Sequence, residues 1–291
     1  MSQKHGFVLL FACFIMSCSF MTWGAERDKQ RQVTTARPLV FGILPFMTPV
    51  AIFTRFAPLR DYLSQQIQMS MFLETSPNFS AHLSRISQRR YDLLVTAPHF
   101  VPLAIDTTYY HVVAKSLDNI ATCIVVKPNS AIQELSDLSG KSIAIPPETA
   151  MVTMVGREMF RDAGLIGEKT PQYMSFLTHN AAYEALTGQQ IFAAVVSSNV
   201  LTTVSTTDYR RLACRDSFSS LGVLISTELP PLLQQQLTTA FLEIDKNPQG
   251  LTVLKTMKYT GFKVSENADF QAMRPYADRL QELELMSTPS P

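Results

Sequence analysis

The chain has 291 residues, enough for one large or two ordinary domains. Apolar residues make up 46% and charged residues 17%, so it can bury a core and is not a disordered chain. A net charge of +1, with aromatic residues spread out rather than interleaved with basic runs, argues against a nucleic-acid binder.

Residues 1–25 read as an export signal. Lys4 and His5 form a short basic start, and Phe7 to Phe20 is an apolar run broken only by Ser17, Ser19 and small residues. That run is about 14 residues, short for a bilayer span and right for the apolar part of a signal. No other segment approaches roughly 18 apolar residues, so no membrane span is expected in the mature chain. Two cleavage points stay open. Thr22-Trp23-Gly24-Ala25 offers small residues for a soluble product. Ile15-Met16-Ser17-Cys18 resembles a lipoprotein box, in which Cys18 would carry the lipid.

After the polar linker Gln30–Arg37, Pro38–Leu44 reads as a buried first strand ending at Pro45. Phe53, Phe56, Leu59, Leu63 and Ile67 fall at helical spacing, with Arg55, Arg60 and Asp61 off that face. Ser70–Thr75 is a second strand and Ser80–Arg90 a helix with a basic end, which suits the helix dipole. Asp92–Thr96 is a third strand, and a helix begins near Pro98 with its free N–H groups at the turn. His111–Lys115 and Thr122–Lys127 are two further strands. A second set of alternating elements follows: strand Ser142–Ile145, helix Gly156–Ala163, strand Met174–Leu177, helix Asn180–Leu186, and strands Phe192–Ser197, Tyr209–Cys214 and Gly222–Ser226. Pro231–Asp245 and Asn267–Leu285 read as closing helices. Strands alternating with helices indicate an α/β fold with mostly parallel sheets.

Asp137–Pro146 reads D-L-S-G-K-S-I-A-I-P, a helical turn, a strand, a proline stop and then a new helical pattern. The turn after such a strand is where open α/β sheets place ligands. Gly140-Lys141-Ser142 copies the end of a P-loop, but that motif needs a glycine where Leu135 stands, so an NTPase is excluded. No nucleophile elbow, no H-E-x-x-H and no paired C-x-x-C occurs, which argues against an enzyme; no cofactor or metal is implied. The 13 methionines read as core fillers.

Five stretches in order carry a resemblance: F-G-I-L-P-F at Phe41–Phe46, A-P-L-R-D-Y-L at Ala57–Leu63, Y-D-L-L-V-T-A-P at Tyr91–Pro98, S-D-L-S-G-K-S-I-A-I-P at Ser136–Pro146, and H-N-A-A-Y-E-A-L at His179–Leu186. Together they resemble the substrate-binding proteins of phosphate, phosphite and phosphonate ABC importers. The resemblance implies the two-lobed type II periplasmic-binding-protein fold, hinged by two crossing strands, one after Asp118 and one near Gly222. Lobe 1 would be discontinuous, residues 37–121 plus 218–285, and lobe 2 would be residues 122–217. It further implies a monomer in the periplasm, soluble or lipid-anchored, that binds a small ligand for an ABC permease. The alternative is a sensor of the same fold acting on a membrane signalling protein.

In that family hydroxyls and backbone N–H groups at helix N-termini hold the anion, with an imidazole beside them. Its Ser-Thr-Ser turn falls on Glu148-Thr149-Ala150, its histidine on His179, and its first-lobe turn on Thr96-Ala97-Pro98. The implied ligand-binding residues are Phe46, Thr96, His99, Glu148, Thr149, His179 and Ser197. Six of them have a plainer reading: Phe46 as core, Thr96 as a strand end, His99 as surface, Thr149 as a helix cap, His179 as structural and Glu148 as solvated. Glu148 and Ala150 depart from the family turn, and a carboxylate there repels a dianion unless it points away or is protonated, which keeps a neutral or cationic ligand in view. Phe192 and Ser197 stand where aminoalkyl-phosphonate binders carry acidic groups. Cys123 and Cys214 would lie near the lobe junction, where an exported chain permits a bridge, though sequence alone cannot pair them.

Overall fold

The computed structural model describes residues 37–188, 190–216 and 220–287. The expected export signal, both expected cleavage points and Cys18 lie outside the described residues.

Eleven strands form two sheets among the described residues. The first comprises β1 (Leu39–Ile43), β2 (Met71–Thr75), β3 (Leu93–Thr96), β4 (Tyr110–Ser116), β10 (Gly222–Ser226) and β11 (Phe262–Val264), in the order β11-β4-β10-β3-β1-β2. The second comprises β5 (Ala121–Val126), β6 (Ser142–Ile145), β7 (Gln172–Ser175), β8 (Ala193–Ser197) and β9 (Arg210–Asp216), in the order β7-β6-β8-β5-β9. The chain leaves the first sheet between β4 and β5 and returns between β9 and β10.

The sheets are mixed rather than mostly parallel. β1 runs parallel to β2 and β3, and β6 to β7 and β8. The pairs β3–β10, β4–β10, β4–β11, β5–β8 and β5–β9 are antiparallel. A strand arriving from the other sheet is not bound by the right-handed crossover that keeps successive βαβ strands parallel.

The central strands of the second sheet, β6, β8 and β5, are apolar almost throughout because both of their faces are buried, whereas the edge strands β7 and β9 are largely polar and more exposed. Along β8, Ala193 and Val195 enter the main core, while Ala194 and Val196 enter a smaller core on the opposite face. β5 alternates in the same way, with Ile124 and Val126 on one side and Cys123 and Val125 on the other. The main core also takes in Phe41, Leu93 and Leu224 of the first sheet.

Helix α1 (Pro49–Ile67) starts with Thr48, whose hydroxyl accepts from the Ala51 N–H, and with proline at its first position. Its buried stripe runs through Ile52, Phe56, Leu59, Leu63 and Ile67; Phe53 is 40% exposed. Arg55 joins the buried face instead of the solvated one. Its Nε donates to Met257 O and its guanidinium lies 5.3 Å from the Tyr259 ring centre. Met257 ends α8 (Pro248–Met257), where free carbonyls attract a cation.

Helix α8 and strand β11 carry weak local signals. Asn247-Pro248-Gln249-Gly250 looks like a loop, yet Asn247 caps the Gly250 N–H at 2.7 Å and Pro248 fits the first helical turn. A Cβ at Gly250 would sit 1.8 Å from Ile244 O, so close backbone approach demands glycine there.

The remaining helices are α2 (Phe79–Ser87), α3 (Val101–Asp106), α4 (Met151–Asp162), α5 (His179–Glu184), α6 (Ser198–Leu201), α7 (Pro231–Leu242) and α9 (Arg274–Ser287). α4 starts earlier than its sequence pattern suggests, right after the polar turn. It packs on β8 through Gly156, where an added Cβ would meet Val195 Cγ1 at 2.8 Å. Tyr276 on α9 donates to Glu158 on α4 at 3.0 Å. Among the described residues no helix is long and apolar enough to cross a membrane.

Candidate functional site

The C-terminal ends of the parallel strands β1, β3, β6 and β8 bring four segments together. Leu44–Phe46 follows β1, and Pro98–Phe100 forms a helical turn after β3. Pro146–Ala150 leads from β6 into α4, and Ser197 ends β8. His179 opens α5, whose cap Thr178 accepts from the Ala181 N–H at 3.1 Å. This is the strand-end position at which open α/β sheets bind ligands.

Two cavities lie between the segments. The inner one has a volume of about 40 Å³ and is lined by Phe46, His99, Met151, Val152, His179 and Ser197, with Leu44, Ile120, Asn199 and Leu221 among its other walls. The outer one has a volume of about 250 Å³, lined by Pro45, Asn78 and Ser80 on one side and by Glu148, Thr149, Ser175 and Leu177 on the other. Phe79 lines both, packed edge-on against Phe100 at 5.6 Å.

His99 is buried and reaches across the inner cavity. Its Nε2 lies 3.0 Å from Thr149 O. A carbonyl only accepts, so Nε2 carries the proton and Nδ1 presents a lone pair. Nδ1 is buried without a hydrogen-bond partner among the described residues. Burial lowers the His99 pKa to about 4, with the Thr149 bond opposing and His179 adding to the shift. Burial likewise lowers His179 to about 4. Its Nδ1 lies 3.4 Å from Ser197 Oγ.

The start of α4 is uncapped. Ala150 offers no side-chain bond, its own N–H turns back to Pro147 O at 2.8 Å, and Thr153 and Met154 N–H both go to Ala150 O. The first N–H groups of the helix, on Met151 and Val152, therefore find no acceptor among the described residues, and both residues line the inner cavity. Lysine and arginine do not occur among the described residues lining it.

Glu148 lies beside the outer cavity, bound in two contacts by Arg157, Nε to Oε2 at 3.1 Å and NH2 to Oε1 at 2.6 Å. That guanidinium in turn covers the Tyr173 ring at 3.8 Å. Thr149 gives its carbonyl to His99 and lines the outer cavity. Thr96 lines neither cavity. Its Oγ1 lies 3.1 Å from His82 Nε2 in the core, because alternation along β3 turns that side chain under α2. Phe79, Asn199 and Arg157 escaped sequence reasoning. Phe79 had a faint signal, following the cap Asn78 at the start of a helix, whereas Arg157 lies nine positions from Glu148 and gave none.

Cys123 and Cys214 are directly opposed on β5 and β9, and their sulfurs are bonded, with Cα atoms 4.1 Å apart. The bridge lies within the second sheet rather than across the two. Among the described residues no group of three or more His, Cys, Asp or Glu is placed to hold a metal ion.

Residues 41–270 match the family model described as "ABC transporter, phosphonate, periplasmic substrate-binding protein". No curated protein sequence matches the chain. Among solved structures, a binding protein component of an ABC phosphonate transporter from Pseudomonas aeruginosa superposes with a TM-score of 0.73 at 13% identity, over 88% of this chain and 90% of that one. PhnD1 from Prochlorococcus marinus, in complex with methylphosphonate, gives a TM-score of 0.73 at 13% identity, over 84% and 98%. XAC2383 from Xanthomonas citri, bound to chloride ion, gives 0.69 at 16% identity, over 84% and 99%. At such identities these structures speak for the fold, the two-sheet α/β architecture of type II periplasmic binding proteins. The family is one of substrate-binding proteins and not of enzymes. The chain belongs to the family of periplasmic substrate-binding proteins of phosphonate ABC transporters.

Proposed function

We propose that the chain captures a small phosphonate-like oxyacid in the inner cavity and presents it to an ABC permease. One observation carries this reading: the uncapped start of α4, His99, His179 and Ser197 converge on a single cavity at the ends of the parallel strands. An acid oxygen set there meets free N–H groups and the positive end of the helix dipole. Glu148 does not oppose this, since its charge is engaged by Arg157.

Residues 37–121 with 218–285 form lobe 1 and residues 122–217 form lobe 2, and the ligand favours their closed arrangement by touching both. Phe46 and His99 contribute from lobe 1, and His179 and Ser197 from lobe 2, with the Thr149 carbonyl holding His99. The protein acts as a monomer in the periplasm, exported by residues 1–25 and either released or anchored through Cys18. The alternative of a sensor acting on a signalling protein receives no support from the comparisons.

A thermal-shift screen against phosphate, phosphite, methylphosphonate and aminoethylphosphonate tests the reading. A ligand that binds only the native state raises the melting temperature. A rise with an oxyacid supports it. A rise only with neutral or cationic metabolites defeats it.

A further inference from the structure

Helix α9 is fastened to lobe 1 and reaches lobe 2 through Tyr276. At its start, Arg274 holds Asp106 of α3 in two contacts, at 2.7 and 2.8 Å. Towards its other end, Ser80 of α2 donates to Glu284. Between these anchors Ala277 and Leu280 are buried in the main core. From this fixed helix the Tyr276 hydroxyl donates to Glu158 Oε2 on α4 at 3.0 Å. Resting on the proposed two-lobed function, we infer that Tyr276 is a closure latch: by holding Glu158 it draws α4, and with it lobe 2, onto lobe 1 before any ligand arrives.

The acceptor is prepared within lobe 2. Glu158 lies 3.7 Å from one guanidinium nitrogen of Arg215, and another nitrogen of the same group holds Asp162 at 2.7 Å. Arg215 is on β9 and Asp162 is one turn beyond Glu158 on α4, so the cluster travels with lobe 2. When the lobes part, Glu158 keeps its cation and no charge is stranded. When they meet, it gains the Tyr276 hydroxyl as well. A contact that breaks without leaving an uncompensated charge can open and close reversibly. Burial and the Glu158 carboxylate both push the Tyr276 phenol upwards, so it keeps its proton and donates.

The latch bears on the ligand site through α4. Met151 and Val152, in the first turn of that helix, line the inner cavity, and Glu158 lies about 10 Å further along it. Gly156 seats α4 against Val195 of β8, so the helix and the second sheet move as one body. Two other bonds cross between the lobes, His99 Nε2 to Thr149 O at 3.0 Å and Lys258 Nζ to Thr202 O at 3.3 Å. Both end on backbone carbonyls. The Tyr276 bond ends on a carboxylate, and charge-assisted hydrogen bonds are the stronger kind. Tyr276 itself lines neither cavity, so it is a positioning residue that acts through α4.

The test is small-angle X-ray scattering of the ligand-free mature protein and of Tyr276→Phe, which removes the hydroxyl alone, with folding checked by melting curves. Tyr276→Phe is expected to show a larger radius of gyration than the parent, because more molecules stand open. Glu158→Ala is expected to match it, and the double variant to be no more open than either single one, since both remove the same bond. With methylphosphonate as the probe, Tyr276→Phe is expected to bind about threefold to tenfold more weakly, through faster release, as the closed fraction falls. Equal radii for the parent and Tyr276→Phe overturn the latch, and a double variant more open than both single ones overturns the pairing. Unchanged methylphosphonate affinity in Tyr276→Phe overturns the coupling to the ligand site. A parent that binds no methylphosphonate while the radii differ as expected counts against the proposed function and leaves the latch standing.

Discussion

His99 and Thr149 meet across the cleft, the imidazole Nε2 3.0 Å from the carbonyl oxygen. The bond joins the turn after β3 to the turn before α4, so the two sheets touch at the position proposed for the ligand. It also draws on the Thr149 backbone and not its hydroxyl. Thr149→Ala is therefore expected to change ligand affinity by less than about 1 kcal/mol, whereas His179→Ala is expected to cost about 1–3 kcal/mol. Calorimetry on both variants checks the contrast, and equal losses would count against the site.

Acid should loosen the fold. Burial holds His82 at about 3 and His99 and His179 at about 4, below the ordinary 6.5. The unfolded chain then binds more protons than the folded one between pH 6.5 and about 4, so stability rises with pH in that window. It is fully present above 6.5 and falls as the unfolded chain takes up protons. Each imidazole is expected to withdraw roughly 2 kcal/mol between about pH 7.5 and about pH 5. Urea midpoints at the two pH values measure this, and His82→Phe should shrink the difference.

The Cys123–Cys214 bridge closes a separation of 91 residues. In the chain-entropy account such a loop contributes about 2–5 kcal/mol. The double substitution Cys123→Ser with Cys214→Ser is expected to lower the melting temperature by several degrees while leaving ligand affinity unchanged, because neither cysteine lines either cavity. A large loss of affinity at a temperature where the variant is folded would contradict that placement.

The Glu148–Arg157 pair is partly exposed, with side chains 42% and 39% accessible, so its direct contribution to stability is small, about 0–1 kcal/mol. Its role shows in binding. Arg157→Ala would release a carboxylate beside the outer cavity and is expected to weaken oxyacid binding severalfold. Adding Glu148→Gln is expected to restore it, and binding titrations of the single and double variants decide.

Gly156 lets α4 lie close on β8. Gly156→Val would drive a side chain into Val195 and is expected to destabilise by about 1–3 kcal/mol or more. Denaturant unfolding reads the loss directly.

Most strands were legible in the sequence because burial on both faces leaves continuous apolar runs between turn residues, as at Ser142–Ile145 and Gly222–Ser226. The order of the matching stretches likewise marked the family. Helix α8 and strand β11 were not legible. Gly250 answers to the close approach of Ile244 O six positions earlier, and the short β11 to pairing with the far-off β4, and neither contact leaves a periodic pattern in the sequence.

The amino-acid sequence alone determined that this chain is an α/β protein with the ligand turns of a substrate-binding family, since periodicity and turn chemistry act between near neighbours. The tertiary structure decided which side chains meet. It turned Thr96 inward to His82, took Glu148 to Arg157, opposed Cys123 with Cys214, and set several strands antiparallel. Strand register and packing between separate elements fix three of these outcomes, while the turn of α4 brings Arg157, nine positions on, back to Glu148. Those contacts also bound His99 Nε2 to Thr149 O and left its Nδ1 buried without a partner among the described residues.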